Sequence, residues 1–123
     1  MIGRVDIQVP YKFNIIGLSF YRDRQAGFAF TNQATLILAQ NVGIELQEVP
    51  KWAKENQTLY FIESLFAAYI AFCQENYRKP VFDKKKLSEG FTHLSEEDQK
   101  KIVRVWNEAL TTGAKPIPSK KKR

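Results

Sequence analysis

One histidine and one cysteine set the limit on the chemistry available to this 123-residue chain. Nucleophilic triads and most transition-metal centres are built from those two side chains. His93 stands beside Thr92 and just before Ser95, where it reads as part of a turn, and nothing near it in sequence is placed to orient a catalytic imidazole. Cys73 sits within a run of apolar residues, which suits a packed thiol rather than a reactive one. The densest acidic group, Glu96-Glu97-Asp98, is the one candidate for a cation, but it directly follows Ser95 at the start of a helical pattern, where carboxylates favour the helix dipole. Glycines at positions 3, 17, 27, 43, 90 and 113 assemble neither a phosphate-binding loop nor a dinucleotide fingerprint. The expectation is therefore no catalytic residue, no cofactor and no metal, and a protein that binds rather than catalyses.

Attention then passes to the elements that would carry a binding surface. Between Leu59 and Tyr77 the spacing predicts a nearly all-apolar helix. At about 100° per residue, Phe61, Leu65, Ala68, Tyr69 and Phe72, flanked by Leu59, Ile62, Phe66, Ile70, Cys73 and Tyr77, fall on an apolar arc of roughly 200°, about twice what a surface helix needs. Opposite runs a narrow stripe of Glu63, Ser64, Ala67, Ala71, Gln74 and Glu75, with Tyr60 as the bulky exception. So wide an arc predicts a helix central to a bundle, or one covered by another subunit, and hence a homo-oligomer. The uninterrupted apolar run from Leu65 to Cys73 is far short of the roughly 20 residues a bilayer demands, so no membrane partner is expected. Phe61, Leu65, Ala68, Tyr69 and Phe72, joined by Trp106 from the last helix, are the candidate partner-binding residues.

The remaining elements follow from local signals. Val5, Ile7 and Val9 alternate with polar residues, predicting a short strand that ends at Pro10. Asn14 is placed to cap a helix from about Ile15 to Ala26, with Gly27 as its left-handed stop; the competing reading continues the strand through Phe13 and Ile15. Thr31 caps a helix that runs to Gly43, and Pro50 suits a first helical turn carrying Trp52. Pro80 breaks the chain after Tyr77, Asp83 caps a short helix that turns Leu87 and Phe91 inward, and Ser95 with Asp98 resembles a capping box. The helix it opens gathers Ile102, Val105, Trp106 and Ala109 on one arc and ends at Gly113. The fold class expected is mainly α: a small helical bundle with a short N-terminal β-strand or hairpin. It comprises one helical domain, residues 1–113, followed by a basic, solvated tail, 114–123. A chain of this length and 44% hydrophobic content buries about two-thirds of its unfolded surface without staples.

The formal charge of +6 resides almost entirely in the tail. Lys115, Lys120, Lys121, Lys122 and Arg123 account for five of the 19 basic residues, leaving 14 against 13 acids in the body. No basic groove follows, so the body is not expected to bind nucleic acid. The runner-up reading is nevertheless a small nucleic-acid-associated protein using the tail and exposed aromatics. In it, Phe13, Phe20, Tyr21, Phe28 and Phe30, with Arg22 and Arg24 between, stack on single-stranded bases; core packing explains the same rings better. A lone cysteine and the lack of a signal-like apolar segment at the N-terminus read as cytoplasmic.

The stretch LYFIESLFAAYIAFCQENYRKPVFDKKKLSEGFTHLSEEDQKKIVRVWNEAL resembles the helical segment of tail assembly chaperones of long-tailed bacteriophages and prophages. There too, a helix rich in Leu, Ala and Tyr is followed by a Lys-Pro break, an aromatic with an acid, and a final helix with an acidic cap. The opening VPYKFNIIGLSFYRDRQAG is similar to their short strand and aromatic-bearing helix, whereas residues 28–57 depart from the pattern. The resemblance implies a helical protein of the host cytoplasm that self-associates and binds the tape measure protein while tail tube subunits assemble. It also implies that a longer form can arise by ribosomal frameshifting, for which the codons of Lys120-Lys121-Lys122 would be the slippery site.

Overall fold

A β-hairpin followed by five α-helices makes up the described residues, 3–111, of the computed structural model. Strand β1 (Arg4–Ile15) pairs antiparallel with β2 (Leu18–Ala29) along its whole length, from Arg4 opposite Ala29 to Ile15 opposite Leu18. Ile16 and Gly17, with φ of 51° and 76°, form the two-residue connection with positive φ at both positions that suits the twist of a hairpin. The helix expected over residues 15–26 does not form. Phe20 and Tyr21, which would serve a helix face, instead lie opposite Phe13 and Lys12 on β1, Ile16 sits in the turn, and the Asn14 carboxamide accepts the Ser19 hydroxyl at 2.9 Å rather than capping a helix. Nor does Pro10 end β1. With a two-residue turn, Ile15 and Leu18 exchange ladder bonds, and the alternation puts Pro10 and Asp23 in a pair that exchanges none. The missing proline N–H is not needed there.

Helix α1 (Asn32–Val42) begins where the Thr31 hydroxyl accepts the Ala34 N–H and stops at Gly43, φ 86°. A single 3₁₀ turn (Leu46–Glu48) leads into α2 (Val49–Glu55), with Pro50 in its first turn. Helix α3 (Gln57–Glu75) ends in a Schellman motif: Arg78 N–H donates to Cys73 C=O at 2.9 Å while Tyr77 adopts φ 56°. After the Pro80 break, the Asp83 carboxylate accepts the Lys86 N–H at 2.7 Å and opens α4 (Lys84–Thr92). The Ser95 hydroxyl does the same for Asp98 at the start of α5 (Glu96–Thr111). Gly113 and the basic tail lie outside the described residues.

Helix α3 is the axis of the fold. Helix α1 packs along it, its C-terminal half crosses β2, and α4 lies on β1. Val9, Phe28, Leu38, Leu65, Phe82, Leu87 and Ile102 are the largest fully buried side chains, each of the apolar kind whose burial is worth roughly 1.5–3 kcal/mol. On the stripe opposite the arc, Ser64, Ala67 and Ala71 are buried as well, small enough to let a neighbouring helix approach closely, while Gln74 and Glu75 are exposed. One chain thus covers the middle of the arc and of its opposite stripe, leaving Phe61 and Phe72 half-buried and Leu59 and Tyr77 exposed. Among the described residues, no helix is long and apolar enough to cross a membrane.

Candidate functional site: an aromatic groove between α3, α4 and α5

Helix α5 turns Ile102 and Ala109 into the core. The half-buried Trp106 follows Ile102 by one turn, and its indole lies 5.5 Å from the Tyr60 ring and 5.2 Å from that of Phe61. Phe61 in turn meets Phe91 of α4 edge-on at 5.3 Å, and Tyr60 meets Trp52 of α2 at 6.4 Å. A chain of rings, Trp52, Tyr60, Trp106, Phe61, Phe91, therefore links four helices. Each tilted or edge-to-face pair of this kind adds about 0.5–1.5 kcal/mol beyond area burial.

Beside this chain the helices leave a groove of about 850 Å³. Phe61, Phe91, Val103 and Trp106 give it an apolar wall, and Glu96, Lys100, Arg104 and Glu108 supply charges of both signs along α5. Glu96 and Lys100 form an ion pair at 3.3 Å. On the other side of the Phe61 and Phe91 rings lies a second recess of about 400 Å³, reached by Ile62, Leu65 and Ser88. The Gln99 carboxamide donates to Phe91 C=O at 2.8 Å and fixes the start of α5 against the end of α4.

Of the six candidate binding residues, Phe61 and Trp106 meet in this groove. Leu65, Ala68 and Tyr69 are core residues, although Leu65 also borders the second recess. The Tyr69 hydroxyl accepts the N–H of Val81 at 2.6 Å and of Phe82 at 3.1 Å, pinning the segment between α3 and α4. Burial pushes its phenol above the usual value. Phe72 packs on Gly27, with the Arg78 guanidinium 5.9 Å from its ring centre. Trp52, Tyr60 and Phe91 complete the ring chain beyond the candidate residues; the signal at Tyr60 is its bulk, since an aromatic on an otherwise small and polar stripe marks a neighbouring helix.

The sparse chemical residues are accounted for structurally. His93 ends α4, and its Nε2 lies 3.1 Å from the Tyr21 hydroxyl. Cys73 is buried, which raises its thiol pKa and disfavours the thiolate. No group of three or more His, Cys, Asp or Glu side chains able to hold a metal occurs among the described residues. In the Lys84-Lys85-Lys86 cluster, Lys84 reaches Glu63 at 2.6 Å and Lys86 donates to Lys12 C=O at 2.9 Å. Comparison with protein-family models, with curated proteins and with solved structures gave no match to this chain.

Proposed function

We propose that this protein is a non-enzymatic binding protein that holds an amphipathic helix of a protein partner in the groove between α3, α4 and α5. The observation that carries this reading is an aromatic-walled groove left open after the core has been filled, bordered by charges of both signs. Such a groove suits the apolar face of a helix, with anchors at i and i+4 against Phe61 and Trp106 and polar flanks near the α5 charges. Joined to the resemblance of residues 59–110 to tail assembly chaperones, the reading makes the occupant a helical segment of a tape measure protein, shielded in the host cytoplasm before tail tube subunits enclose it.

Trp52 and Trp106 are the two tryptophans of the chain, so a Trp52→Phe background leaves Trp106 as the reporter. Overlapping peptides spanning the helical region of a phage tape measure protein are titrated into that protein. A saturable blue shift of Trp106 emission is expected, and Val103→Glu should abolish it. If no peptide moves the emission, the groove is not the binding site.

A further inference from the structure

The outer half of the hairpin carries an apolar face away from the body. Along one face of the ladder the core pair Val5 and Phe28 is continued outward by Phe13 and Phe20, whose rings stack at 5.8 Å, and then by Ile15 and Leu18. Ile15, Leu18 and Phe20 are 51%, 63% and 42% exposed, and Ile16 at the turn is 94% exposed. Ile16 also holds φ 51°, a conformation that β-branched residues avoid and that Asn or Asp before Gly17 would adopt freely. A strained backbone and a fully exposed isoleucine coincide at one position, and strain of this kind is kept where a segment has work to do.

The hairpin also has one closed edge and one open edge. The Lys86 ammonium on Lys12 C=O and the close approach of Gly90 to Pro10 C=O cover the edge of β1. The sheet has two strands, so the outer edge of β2 has no strand partner among the described residues. The same alternation that spares Pro10 points the N–H and C=O of Ser19, Tyr21 and Asp23 away from β1.

We propose that this arm docks a second copy of the chain, the two β2 edges pairing antiparallel about a two-fold axis at Tyr21 to make a four-stranded sheet. The edge is self-complementary in that register. Ser19 of one copy faces Asp23 of the other, a hydroxyl donor opposite a carboxylate, and Phe20 faces Arg22, a ring opposite a guanidinium.

Sedimentation equilibrium on the full chain, from micromolar to millimolar concentration, tests this. A species of twice 14.3 kDa is expected. Ile16→Asn restores a preferred turn while removing the exposed side chain, and Ser19→Pro removes an N–H that β1 does not use. Each should weaken self-association at least tenfold without lowering the thermal midpoint of the monomer. If either variant fails to fold, oxidation of a Tyr21→Cys protein gives a second measurement, with a covalent dimer expected well above that formed by an exposed Lys85→Cys control. A wild-type chain that stays monomeric throughout, a dimer whose affinity neither substitution alters, or cross-linking no better than the control overturns the proposal.

Discussion

Gly27 lies against the ring of Phe72, so close that a Cβ built on the glycine would fall within contact distance of three ring carbons. Strand β2 and helix α3 can approach this closely only because the strand offers bare backbone at that point. Gly27→Ala should therefore cost about 1–3 kcal/mol through overpacking. The Phe72→Ala change should recover part of that loss, and a double-mutant cycle in urea should show coupling between the two sites. Simple additivity would mean that the ring swings aside freely.

Tyr69→Phe should destabilise by about 1–3 kcal/mol, because it leaves the Val81 and Phe82 N–H groups without their acceptor and the latter bond is buried. The loss should appear as faster amide exchange at Val81 and Phe82 and a lower denaturation midpoint. Unchanged exchange at both amides would show that water replaces the phenol at no cost.

A gain is expected at Tyr77. Its side chain is almost fully exposed and its φ of 56° places it in the left-handed position that closes α3. Glycine fits that position without the steric penalty of a Cβ, so Tyr77→Gly should stabilise the fold by about 1 kcal/mol. Thermal unfolding reads this directly, and a lowered midpoint would contradict the geometry.

The Arg4 guanidinium bonds both carboxylate oxygens of Glu75, and that hydrogen bonding holds Glu75 below the usual carboxylate range. A carboxylate whose folded pKa is depressed contributes stability above its unfolded value, and the contribution disappears as pH falls through the folded value. The difference in stability between wild type and Glu75→Gln should thus be present at neutral pH and shrink as pH drops below about 4.3. Because both groups are partly exposed, it should also shrink in high salt. A difference independent of pH and salt would assign the effect to packing.

The caps at Thr31, Asp83 and Ser95, the stop at Gly43, and the break at Pro80 were legible in the amino-acid sequence because each is a contract between a residue and backbone no more than a few positions away. Residues 15–26 were not legible in that way. Ile16, Phe20 and Tyr21 with Gly27 fit a helix as well as a strand, and what decides between them is the ladder to β1, formed with residues up to 21 positions distant, Gly27 lying opposite Asp6. The same holds for the groove. Hydrophobic spacing placed Phe61 and Trp106 on the right helices, but periodicity states only that a face is apolar and not which neighbour covers it. Tertiary packing buried Leu65, Ala68 and Tyr69, covered the Ser64, Ala67 and Ala71 stripe, and left Phe61 and Trp106 beside Phe91 at an open edge. Local chemistry is written in the chain, whereas the choice of which apolar surface stays uncovered belongs to contacts between segments far apart in it.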